Sequence, residues 1–279
     1  MLPAFLDPRT VFRVLDQIDQ EPPSHSAPRA GGSKQTLWIL FSVAVSLLML
    51  NYLKYTQSLE QLLVYIAGWQ GRPQNYWVDY VYNSGWQFLY RYAWWGFWHV
   101  ICYLLIPAIV IKAIMKQDVL DFGFRWEETH RHWHGYMYLL CPILVFVVFA
   151  SHRQDFVEHY PFYHDAGRSW FDFVAWELIY LTQFICLEFF FRGYIVQSLR
   201  PHYGSAAIWI MIVPYVMIHF TKPWLEATGA IFFGLFLGIL ALRSRSIWGG
   251  FGVHAGVAVS MDIASLIQQD SVPQHWWPF

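Results

Sequence analysis

Apolar runs recur along this chain at lengths close to what a helix needs to cross a lipid bilayer, and that recurrence decides the class of fold. About seven such runs can be read, at roughly 36–52, 86–115, 136–151, 171–196, 206–220, 225–242 and 247–267. A span takes about twenty residues, so the third and fifth are short, while the second is long enough to tilt or protrude. Between the first two lies a partly apolar stretch, 59–69, too short to cross. Charged residues make up 13% of the chain, against about 25% in soluble domains. In hydrocarbon every backbone polar group must be satisfied internally, which favours helices here. The expected fold is therefore all-α, a polytopic membrane helical bundle of about seven transmembrane helices.

The net charge of −1 gives no pull toward nucleic acid. Cys102, Cys141 and Cys186 fall inside apolar runs and read as small buried hydrophobes rather than disulfide or metal ligands. Three regions follow. Residues 1–35 form a cytoplasmic amphipathic segment and linker, 36–170 the N-terminal transmembrane helices with their loops, and 171–279 a membrane core. In the first, Asp7 can cap a helix that opens on Pro8, with Val11, Phe12, Leu15 and Ile18 on one face. That helix either lies on the membrane surface or docks on the rest of the protein. A Pro/Gly/Ser-rich linker follows from Pro22 to Ser33.

Basic residues orient the chain. One side receives Arg29, Lys34, Lys112, Lys116, Arg125, Arg131, Arg200, Arg243 and Arg245; the other receives Lys54, Arg72, Arg153, Arg168 and Lys222. The richer side is taken as cytoplasmic, with the N-terminus there and the C-terminus opposite. The chain is expected in the membrane as a multi-pass protein, the plasma (inner) membrane if the source is bacterial. Trp276 and Trp277 suit the far interface. Glycines at 229, 234 and 238, and at 249, 250, 252 and 256, suit close helix packing in the last two runs.

Within the last four runs stand Glu188 with Arg192, then His219, then His254. A charge in hydrocarbon costs roughly 2.5–3.5 kcal/mol on insertion scales, so Glu188 and Arg192 need partners. Their i,i+4 spacing lets them face each other. At 1.5 Å per residue, Glu188 and His254 lie about 12 and 10 Å from the inner end, where they can meet; His219 lies roughly 20 Å from it. A carboxylate with two imidazoles can activate water and steady an oxyanion. The same Glu188, His219 and His254 can equally ligate zinc with a fourth position left for water. As the bland alternative, each group only ties helices together. Asp262, two turns beyond His254 on the same face, can orient that imidazole or stand as an interfacial residue. Glu177 lies three turns before Glu188 on the same face. His130, His132 and His134 alternate in a loop and suit a solvated surface.

These residues resemble the motifs of the CPBP family, the CAAX prenyl endopeptidases and bacteriocin-processing proteins. Their pattern is E-E-x-x-x-R, then F-x-x-x-H, then H-x-x-x-N. Leu187–Arg192 followed by Gly193 is similar to the first, Tyr215–His219 to the second, and His254–Ala258 to the third. The resemblance covers roughly 171–262, about a third of the chain, and implies a CPBP-like core in the last four helices. It also implies an intramembrane endopeptidase in which Glu188 and His219 activate water, His254 stabilises the oxyanion and Arg192 supports Glu188. No cofactor is required on that glutamate mechanism. Two positions depart: Leu187 stands where the first Glu belongs and Ala258 where the Asn belongs. The implied partners are membrane lipid and a membrane-associated peptide substrate. The alternative is a catalytically inactive scaffold or accessory subunit bound to a partner membrane protein.

Overall fold

The computed structural model describes residues 8–21, 33–126, 129–220, 222 and 224–278. All regular structure among them is helical. The helices are α1 (Pro8–Gln20), α2 (Ser33–Leu53), α3 (Thr56–Trp69), α4 (Tyr76–Asn83), α5 (Gln87–Met115), α6 (Trp133–Ala150), α7 (Gln154–His159), α8 (Trp170–Tyr203), α9 (Ala206–Met217), α10 (Trp224–Ser244) and α11 (Trp248–Gln268). Asp7, and the linker over 22–32, lie outside the described residues.

Among the described residues six helices are long and apolar enough to cross a membrane, so the chain is a multi-pass membrane protein. They cover six of the expected runs. The run at 206–220 is different: α9 has only 12 residues, about 18 Å of helix. Pro214 lies inside it and three turn-like hydrogen bonds at its end carry the chain to Phe220. The run at 136–151 is longer than its apolar stretch suggested. Helix formation begins with a tight turn at Thr129–His132, which takes in His130 and His132, and continues as α6.

Two compact units divide the chain. The first comprises Met1–Val43, Ile106–Tyr138 and Leu187–Gly252. Its centre is the stretch from Leu187 to Leu199, every residue of which is buried. Here α8 widens into a π-helical segment, Phe189–Val196, a form that occurs often at functional sites. Helices α9 and α10 pack on it. They approach closely because α10 offers glycines one turn apart. A Cβ on Gly234 would come within 2.8 Å of Ile212, and one on Gly238 within 2.8 Å of Ile208. Gly229 has nothing within 4 Å and plays no such part. The amphipathic α1 docks in this unit. Leu15 and Ile18 are buried, and Asp19 accepts from the Ser205 backbone N–H at 2.5 Å and its hydroxyl at 2.8 Å, just ahead of α9.

The second unit comprises Ala44–Leu105, Leu139–Cys186 and Val253–Phe279. Tyr163, Ala166 and Trp176 form a buried cluster, flanked by Leu89, Tyr92, Phe162, Phe173 and Tyr180. His99 is buried beside it, with Nδ1 at 2.7 Å from the Trp95 carbonyl. Ser169 caps α8: its hydroxyl accepts from the Asp172 N–H and donates to the Asp172 carboxylate at 2.7 Å, a reciprocal cap. Arg168 grips the same carboxylate through two nitrogens at 2.8 and 2.9 Å, and Tyr163 donates to it at 2.5 Å. Burial, then this hydrogen bond, hold the Tyr163 phenol above its usual range. The chain's last segment pairs with the start of α8, through Trp170 N–H to the His275 carbonyl and Phe171 N–H to the Trp276 carbonyl.

Asp172 thus gathers one cap and three side-chain donors at a fully buried position. Hydrogen bonds to a charged group contribute about 1.5–3 kcal/mol. Asp172→Asn is expected to destabilise the protein by about that amount, read as a lowered thermal midpoint in detergent; an unchanged midpoint contradicts it.

Candidate functional site

The π-helical part of α8 places Glu188 and Arg192 together, as their spacing suggested. Arg192 Nη1 lies 3.1 Å from Glu188 Oε1, with the side chains 0% and 1% exposed. Neither charge is left to hydrocarbon alone. The carboxylate occupies space that another helix vacates: a Cβ on Gly250 of α11 would fall 2.2 Å from Glu188 Oε2. The preceding glycine does the same for an aromatic ring, since a Cβ on Gly249 would fall 2.1 Å from Tyr136 Cζ. Tyr136 is buried, and its hydroxyl lies 3.0 Å from Ser244 Oγ.

Arg192 is bounded on its other side by α9. Its guanidinium lies 4.1 Å from the centroid of the Tyr215 ring, a cation–π contact strengthened by burial. The Tyr215 ring in turn meets the His219 ring edge-on at 4.8 Å. His219 Nδ1 sits 2.7 Å from the Tyr215 carbonyl. A carbonyl only accepts, so Nδ1 carries the hydrogen and Nε2 is the acceptor of the neutral ring. Glu188, Arg192, Tyr215 and His219 thus form a connected series within the first unit. Arg192 and Tyr215 are the links between the carboxylate and the imidazole.

His254 and Asp262 belong to the second unit. His254 is half-buried and its ring stacks on Phe184 at 5.3 Å with an interplanar angle of 11°. Asp262 is fully buried and accepts from the Trp176 indole N–H at 2.6 Å. The two departures from the motif are apolar and buried: Leu187 is 6% exposed and Ala258 3%. Among the described residues no three His, Cys, Asp or Glu side chains converge in the manner of a metal site.

Sequence reasoning did not single out Tyr136, nor the use made of Tyr215. The Gly249-Gly250 pair was the available signal, because adjacent glycines in an apolar helix announce close neighbours. It did not announce which.

Residues 169–260 match the family model described as type II CAAX prenyl endopeptidase Rce1-like. Over that segment the chain is similar to the CPBP family. The matched segment begins at the Ser169 cap and ends two residues beyond Ala258, so it takes in all three motifs. It covers about a third of the sequence. No curated protein and no solved structure matches the chain.

Proposed function

We propose that this CPBP-type membrane protein holds a membrane-associated peptide or a partner membrane protein without hydrolysing it. One observation carries this reading. The motif's remaining carboxylate is closed in a fully buried pair with Arg192, while a buried leucine replaces the carboxylate before it. A general base must reach the water it deprotonates. Glu188 is instead neutralised by the guanidinium and covered by the Gly250 backbone. Its first duty is to fix the π-helical segment of α8.

An endopeptidase is the second reading, with Glu188 and His219 activating water and His254 steadying the oxyanion. It draws support from the anchoring of His219 on the Tyr215 carbonyl, which presets the imidazole's tautomer. On a zinc version of it, Glu188, His219 and His254 would be the ligands.

Purified protein in lipid, incubated with prenylated and unprenylated C-terminal peptides and followed by mass spectrometry, separates the two. The first reading expects no cleavage above background, and the same result for Glu188→Gln, His219→Ala and His254→Ala. Cleavage by the wild-type chain that falls by about 10²–10⁴ in Glu188→Gln or His219→Ala overturns it.

A further inference from the structure

The second unit holds a pair of carboxyl groups that none of the family motifs uses. Glu177 of α8 is 7% exposed and Asp262 of α11 is 0% exposed. Glu177 lies seven residues after the start of α8 and Asp262 six before the end of α11, so each is roughly 10 Å inside its helix. Trp176, the residue before Glu177 in α8, bonds Asp262 of α11 at 2.6 Å, which makes the two carboxyls neighbours, close enough to interact electrostatically.

Their surroundings supply one donor. The Trp176 indole N–H bonds Asp262 Oδ2. Asp262 Oδ1 and both Glu177 oxygens receive no hydrogen bond from any described residue. No described Lys, Arg or His forms an ion pair with either carboxyl. The groups facing the pair from neighbouring elements can be named. Tyr92 of α5 is within electrostatic reach of Asp262, with Arg91 beside it engaged on Thr56 Oγ1 at 2.7 Å. Tyr180 stacks on Trp176 at 4.7 Å. Tyr163 packs on Trp176 at 6.3 Å and is bound to Asp172, which Arg168 neutralises. On α11 itself, His254 lies two turns away on the same face.

Two ionised carboxylates are acceptors only, so as neighbours they can make no bond to each other. Like charges in a medium of low dielectric do not both remain ionised. A single hydron between them turns that proximity into a hydrogen bond and leaves one net charge, which the indole N–H faces. We infer that Glu177 and Asp262 form a binding site for one proton, shared between the two carboxyls inside the membrane. A buried Glu177 with no donor among the described residues, beside Asp262 of another helix, is the feature that a packing role leaves without explanation.

Infrared spectroscopy of the full chain in lipid at neutral pH tests this. The wild type should show the carbonyl band of a protonated carboxylic acid in an apolar setting, slow to shift on exchange into heavy water. Glu177→Gln combined with Asp262→Asn should abolish it. Absence of the band in the wild type overturns the proposal, as does its persistence in the double variant. The wild-type measurement stands even where the double variant does not fold. A second arm separates the proton from an alkali ion. Sodium titrated at constant pH should leave tryptophan fluorescence unchanged; a sodium-dependent change that Trp176→Phe abolishes assigns the site to a metal cation and overturns the proton reading.

Discussion

Replacing Arg192 with methionine is expected to destabilise the protein by about 3–5 kcal/mol, the cost of leaving a buried charge without its counter-charge. The side chain is fully buried and touches Glu188 at 3.1 Å and the Tyr215 ring at 4.1 Å. Methionine keeps most of the volume, so the loss is chiefly electrostatic. The pair differs from its parts. Glu188→Gln made together with Arg192→Met removes both charges, and buried pairs exchanged for uncharged groups of similar size are often near neutral. The double variant should therefore recover most of what Arg192→Met alone loses. Denaturant unfolding in detergent, followed by tryptophan fluorescence, reads the four corners of this cycle. A single variant as stable as the wild type, or a double variant weaker than the sum of the singles, would contradict the arrangement.

The second large effect is expected at Gly250. An alanine there would put its Cβ 2.2 Å from Glu188 Oε2, a separation that no carbon and oxygen tolerate. Either the carboxylate moves off Arg192 or α11 shifts. Overpacking of this kind costs about 1–3 kcal/mol, and displacement of the carboxylate adds to it. Because the clash is with Glu188, the cost should shrink when Glu188→Ala and Arg192→Met are already present. Side chains in contact are not additive in this sense. A Gly250→Ala penalty of equal size in both backgrounds would show that the glycine answers to something other than Glu188.

The sequence disclosed the architecture well because membrane helices are selected by length and apolarity, which can be counted. Glu188–Arg192 was legible as an ion pair since an i,i+4 spacing needs only one helix to form. The exception in the fold was α9. The apolar run at 206–220 is long, but Pro214 and the turns after Met217 use part of it for something other than helix. Composition does not record where a run stops being helical.

The site was legible residue by residue and illegible in its contacts. Glu188, His219 and His254 stood out as polar groups in apolar surroundings. That Tyr215 would lie between Arg192 and His219, or that Gly249 and Gly250 would receive Tyr136 and Glu188, depends on which helix faces meet. Asp262 shows the same limit. Its spacing from His254 suggested service to that imidazole, whereas one of its oxygens is taken by Trp176, which is 86 residues away in the chain. Hydrogen-bond partners of a buried carboxyl are chosen by tertiary packing, and a single sequence carries little of that choice.

The brevity of α9 has a consequence for the lipid. Its 12 residues reach about 18 Å, while a bilayer's hydrocarbon interior is about 30 Å thick. As helix alone, α9 is too short for that thickness, and it stands apart from the six helices long and apolar enough to cross. Past Met217 the chain runs on through turn hydrogen bonds, His219 N–H to the Val216 carbonyl and Phe220 N–H to the Met217 carbonyl. The imidazole therefore stands on backbone that has left the helical ladder, fixed by local turns and by its own bond to the Tyr215 carbonyl.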